Sequence, residues 1–171
     1  MDLDVTRLKE MHPVLAIEMA AQYAYQAAIG LNRHNHQSGG RIAISIGNGS
    51  CHGRVIWGAV RAEEAEQLDY HRVTEEAAEA ISLALVRVAK DWVIRRRLQR
   101  GEYADWLLVD KANEYVALEI SGIDQDDANS RRLSMKIDQV KQSEAALMRA
   151  ACVVELGLPR TRLALISGSE A

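Results

Sequence analysis

Two segments decide the reading of this chain, Tyr103-Ala-Asp-Trp-Leu-Leu-Val109 and Tyr115-Val-Ala-Leu-Glu-Ile-Ser121. Side chains alternate across a strand, so Val116, Leu118 and Ile120 form one wholly apolar face. Glu119 falls on the other face, with Tyr115, Ala117 and Ser121. A carboxylate in the middle of so apolar a strand is costly to bury without a partner. The segment Lys111 to Glu114 reads as a turn, and antiparallel pairing around it sets Asp105 near the level of Glu119. Two carboxylates on one face make a hard-oxygen site suited to Mg²⁺ (or Mn²⁺), which needs few protein ligands and keeps its waters.

Downstream, the polar stretch Gly122 to Asn129 reads as a loop, and Ser130 to Leu147 as a helix with Leu133, Ile137 and Val140 facing inward. Arg132, Lys136, Gln139 and Ser143 follow one another at spacings of four, three and four, which places them on a single polar face. Lys136 is the candidate cation opposite the carboxylates, with Gln139 beside it. Cys152 to Leu156 is a core strand, and Thr161 to Ile166 is expected at an edge of the sheet.

Upstream, Thr74 reads as an N-cap, with Glu75 and Glu76 in a favourable first turn. Ile81, Leu85 and Val88 carry that helix to about Lys90, and Trp92 to Leu98 changes to a strand period. From Thr74 to Leu156 the order is therefore α-β-β-β-α-β. Before it, a helix from Pro13 to Leu31, ended by Gly30 and the polar run after it, precedes a hairpin. Its strands are Arg41 to Ile46 and Cys51 to Gly58, turning on Gly47-Asn-Gly-Ser50. Arg61 to Tyr70 is an acidic, alanine-rich linker or short helix.

At 171 residues the chain fits one α/β domain. Within it, residues 1–70 are read as an N-terminal helix and hairpin extension, 74–156 as the core, and 157–171 as a C-terminal edge strand. Apolar residues at 48% and charged residues at 26% exclude a disordered tail, a collagen and a disulfide scaffold. No apolar run approaches the ~20 residues of a membrane span, and the acidic start lacks the basic-then-apolar pattern of a signal peptide. A cytoplasmic protein is expected, with Cys51 and Cys152 as buried, unpaired thiols. The net charge of −3 means that a nucleic acid would have to be met by a local basic face. Arg96, in the run Arg95 to Arg97, and Arg131 and Arg132 are the candidate contacts.

The α-β-β-β-α-β order, with Asp105 in the second strand and Glu119 in the third, resembles the restriction-endonuclease-like superfamily, written PD-(D/E)xK. The resemblance covers about half the chain. It implies a Mg²⁺-dependent nuclease, with Asp105 and Glu119 holding the metal and a first-helix glutamate, Glu75 or Glu76, assisting. The position of the family's Lys, two residues after the acidic residue, is Ser121, and that of its Pro is Ala104. Some members supply the cation from the following helix, where Lys136 and Gln139 stand. Leu118-Glu-Ile-Ser-Gly-Ile123 followed by Lys136-x-x-Gln139 is also similar to a group of bacterial proteins. The resemblance implies a phosphodiesterase acting on nucleic acid, DNA above all, in bacterial defence or repair, as a homodimer or with a protein partner. The alternative is an inactive nuclease fold serving as a protein-binding or oligomerising subunit.

Other polar clusters are weaker. His34, His36 and His52 lack the cysteine pairs and spacing of a zinc site. Ser45, Ser50 and Ser121 lack a nucleophile-elbow context, and Gly47 to Ser50 is a hairpin turn rather than a phosphate loop.

Overall fold

The computed structural model describes residues 1–61, 65–124 and 129–166, with residues 129 and 130 by backbone alone. Its frame is one eight-stranded mixed sheet in the order β1-β3-β2-β8-β7-β6-β5-β4. The strands are β1 (Asp2–Asp4), β2 (Gly40–Ile46), β3 (Gly49–Ile56), β4 (Val93–Arg97), β5 (Trp106–Val109), β6 (Tyr115–Ile123), β7 (Met148–Glu155) and β8 (Arg160–Ile166). Among the described residues, four α-helices accompany them: α1 (Leu8–Met11), α2 (Ile17–Arg33), α3 (Tyr70–Lys90) and α4 (Asn129–Val140). The order α3-β4-β5-β6-α4-β7 follows the reading of the sequence. None of the described helices is long and apolar enough to cross a membrane.

Strand alternation sorts the core into two layers. Val116, Leu118 and Ile120 of β6 join Trp106, Leu108, Cys152, Leu163, Ile42 and Ile44 beneath α2 and α3, where Ile81 and Leu85 are fully buried. Ala117 joins Leu107, Ala151 and Val153 on the opposite face, closed by Leu133 and Val140 of α4. The central strands are thus buried on both sides, as a sheet flanked by helices requires.

The N-terminal third belongs to this sheet and is not an appendage. β8 pairs antiparallel with β7 on one side and parallel with β2 on the other, so it is an interior strand, contrary to the expected edge position. A parallel pairing over more than a hundred residues leaves no local signature, which is why the sequence hides the hairpin as a partner of β8. β1, not anticipated, covers part of β3. His12 adds a buried tie: Nδ1 accepts from the Ile94 amide at 3.2 Å, and Nε2 donates to Leu83 O at 3.0 Å. Burial pushes the imidazole down to about 4, so it stays neutral and holds this tautomer.

Several boundaries move for identifiable reasons. Pro13 lies in a turn whose Leu15 amide bonds His12 O, and α2 starts at Ile17. Gly30 does not end α2; it lies inside it, where an added Cβ would meet Leu156 Cδ1 at 2.8 Å. α3 begins at Tyr70 with Asp69 as N-cap, its carboxylate accepting the Arg72 amide. Thr74 is therefore one turn inside, its hydroxyl bonded to Tyr70 O, and Glu75 and Glu76 are not first-turn residues. α4 ends at Val140, because residues 141–143 break into turns that deliver Ser143 O to Arg149 Nε at 2.8 Å. Gly122 and Ile123 belong to β6, and residues 125–128 of the expected loop lie outside the described residues, as do residues 62–64 of the expected linker. Of the two thiols, Cys152 is buried and Cys51 exposed.

Candidate functional site

The register of β5 on β6 runs from Val109 opposite Tyr115 to Trp106 opposite Leu118, so one further step sets Asp105 against Glu119. Beyond Trp106 the strands no longer pair as a regular ladder, and β6 continues alone on that side. Its edge amides take carboxylates instead. Asp105 Oδ2 accepts from Ile120 N at 2.8 Å, and Glu75 Oε2, from α3, accepts from Gly122 N at 3.3 Å. Gly122 is required here, since a Cβ would collide with the Thr74 carbonyl. The parting of β5 from β6 is therefore what brings a helix carboxylate and a strand carboxylate to one edge.

Glu119 is 2% exposed, on the face covered by α4. Lys136 Nζ donates to Glu119 Oε1 at 2.5 Å and to Gln139 Oε1 at 3.2 Å. Burial, then the nearby charge of Asp105, push the Glu119 carboxyl up to about 7, against the opposing pull of Lys136. Asp105, Glu119, Lys136 and Gln139 are thus brought together as the spacing on α4 and the strand register required. Ser121 is 1% exposed and lies on the same side of the strand as Glu119.

Glu79 escaped the sequence reading. It is 7% exposed in α3, one turn after Glu75. Trp106 Nε1 donates to its Oε2, and Arg97 reaches its Oε1 at 3.2 Å. Arg97 also stacks over the Trp106 ring at 5.0 Å and donates to Tyr23 Oη at 2.6 Å. Burial, with the charge of Asp105 second, pushes Glu79 up to about 8. The one signal in the sequence was a lone glutamate inside Ala77-Ala-Glu-Ala-Ile81, four residues after Glu75.

A bulge at Arg95 rearranges the basic run. It turns Arg97 to the side of Trp106, opposite which it pairs, and leaves Arg96 paired with Leu107. Arg96 is held bidentately by Glu102 at 2.7 and 3.0 Å. Arg131 and Arg132 are exposed at the start of α4.

No protein-family model, no curated protein and no solved structure matches the chain.

Among the described residues, no three histidine, cysteine, aspartate or glutamate side chains form a group that could hold a metal ion. His34 Nε2 meets Asp124 Oδ1 at 2.7 Å, and His36 Nε2 meets Leu156 O at 2.9 Å, both structural ties to the ends of β6 and β7. The donor set at Asp105 and Glu119 is two carboxylates, the number Mg²⁺ commonly takes from protein while retaining waters. Of their oxygens, Glu119 Oε1 accepts from Lys136 Nζ and Asp105 Oδ2 from the Ile120 amide.

Proposed function

We propose that the chain is a divalent-cation-dependent phosphodiesterase acting on nucleic acid, DNA above all, with a restriction-endonuclease-like core formed by α3 to β7. Asp105 and Glu119 would hold Mg²⁺ or Mn²⁺. Once bound, such an ion supplies an acidified water and neutralises charge on a phosphodiester. Lys136 supplies a positive charge for the phosphorane-like oxygens of the transition state, the preorganised electrostatic role that contributes most in such sites. Gln139 holds the lysine in place by accepting from Nζ. Glu75 and Glu79 position the edge of β6 and Trp106 and do not touch the scissile group.

One observation carries this reading. The carboxylate just before β5 lies close enough to that of β6 for Asp105 to raise Glu119, and a helix lysine stands on the second of them. That lysine occupies the role that Ser121, in the motif's lysine position, cannot fill. The test is nicking of supercoiled plasmid by the purified chain in Mg²⁺ or Mn²⁺. Cleavage is expected, with Glu119→Ala and Lys136→Ala each lowering the rate by at least ~100-fold, the scale of one preorganised group. Absence of cleavage on duplex, single-stranded and RNA substrates would leave the fold as a protein-binding scaffold.

A further inference from the structure

Among the described residues, the face of the sheet that carries Glu119 is covered by a helix only over β6, β7 and the margin of β8. α4 packs mainly on β7 and β6, and its apolar residues join Ala151, Val153 and, at the margin, Ala164. Beyond that margin the same face continues across β8, β2 and β3. The register identifies its residues. Val153 opposes Arg162 and Glu155 opposes Arg160 on β8. Arg160 and Arg162 lie beside Ala43 and Ser45 of β2. Arg41, Ala43 and Ser45 in turn oppose Arg54, His52 and Ser50 of β3.

Four arginines and a histidine therefore share one open face with two hydroxyls, on a molecule whose net charge is −3. Arg41, Ser50, His52 and Arg54 are exposed. Three carboxylates share the face: Asp2 pairs with Arg54 at 2.7 Å, Glu155, 2% exposed, pairs with Arg160 at 2.5 Å, and Asp4, next to Asp2 on this side of β1, accepts from Thr6. Arg41 has no ion-pair partner among the described residues, and Arg162 is half-buried with a contact of its own. The first turns of α4 carry exposed Arg131 and Arg132.

From this placement we infer that the open β8-β2-β3 face is an anchoring surface for the sugar-phosphate backbone of duplex DNA. The charge is the reason for a polyanion: a basic row on an acidic molecule is the electrostatic footprint of phosphate binding. The lack of aromatic side chains is the reason for a duplex. Residues 41, 43, 45, 50, 52, 54, 160, 162 and 164 include no Trp, Tyr or Phe, so no base-stacking platform of the single-strand type exists there. Arginines and hydroxyls on a sheet face contact phosphates without reading bases, so the binding is independent of sequence. β8 lies two strands from β6, about 10 Å at ordinary strand spacing. The anchor and Glu119 thus lie on one face of the sheet, the anchor on its open part and Glu119 beneath α4.

This inference rests on the proposed nucleic-acid substrate, but its test is separate from cleavage. Fluorescence anisotropy with a labelled 20-bp duplex, the full chain and chelator in place of divalent ions measures binding alone. The double variant Arg41→Glu/Arg54→Glu is expected to bind at least tenfold more weakly than the unaltered chain. Its plot of log Kd against log salt should be shallower by about 2, at ~0.9 for each phosphate that is no longer neutralised. Arg72→Gln, which removes an exposed charge from α3 on the opposite face of the sheet, should bind as the unaltered chain does, and thermal melts should show both variants folded. Arg41→Gln, which removes charge with less disturbance, should weaken binding about threefold. Equal affinity of the charge-reversal variant, tighter binding to single strands than to duplex, or binding to anionic vesicles in preference to duplex would each overturn the anchor. Duplex binding that depends on Arg41 in a chain that cleaves nothing would overturn the catalytic reading and leave the anchor standing.

Discussion

Glu119 illustrates how a single side chain couples stability to chemistry. Its carboxyl is raised to about 7 by burial and by Asp105, and that of Glu79 to about 8 by burial. An acid raised above its ordinary value of 4.5 holds its proton in the folded state after the unfolded chain has released it. The stabilisation is complete below about 4.5 and is lost as pH rises toward 7 and 8. Urea midpoints should therefore fall as pH rises from 5 to 9. Glu79→Gln keeps an acceptor for Trp106 and cannot ionise, so its midpoint should change less over that range. An unchanged pH profile in this variant would show that Glu79 does not carry the effect. Asp105 and Glu119 were legible because strand alternation and a short turn fix their relative level. Glu79 was not, because its significance comes from Trp106 and Arg97, and a bulge redirected the latter.

At the scale of elements, the site depends on where β6 leaves β5 and meets α3. Gly122 permits that approach, and Glu75 holds the freed amide. Gly122→Ala should force β6 away from Thr74 and lower stability by about 1–3 kcal/mol, the usual range for overpacking, measured by thermal or urea denaturation. A variant as stable as the original would show that strand and helix approach each other more loosely than this. Leu118→Ala, at 0% exposed on the opposite face of the same strand, should cost about 2–5 kcal/mol. The strand pattern of β6 was readable from its alternation. The start of α3 was not, because Thr74-Glu75-Glu76 has the chemistry of a helix start while Asp69 performs the cap. Local propensity identified the right kind of residue one turn late.

Across the whole molecule, the long-range pairings make one sheet from what the sequence divides into an extension and a core. β2 on β8 and His12 between Leu83 and Ile94 join the two parts. A fragment covering residues 69–166 would expose the long edge of β8 and the face of α3 that α2 covers. It should fail to fold cooperatively, giving no sigmoidal transition by circular dichroism, whereas a cooperative transition would restore the separate-extension reading. Such nonlocal pairings carry no period in the sequence, which is why the α-β-β-β-α-β order was legible and the place of β8 was not.

The chemistry turns on whether Asp105 and Glu119 share a divalent ion. Crystals of the protein soaked in Mn²⁺ and measured for anomalous scattering address it directly. A single anomalous peak within ligand distance of both carboxylates, lost in Glu119→Ala crystals, is the expected result. Mn²⁺ absent from that position at millimolar concentration, with Lys136 still seated on Glu119, would contradict it.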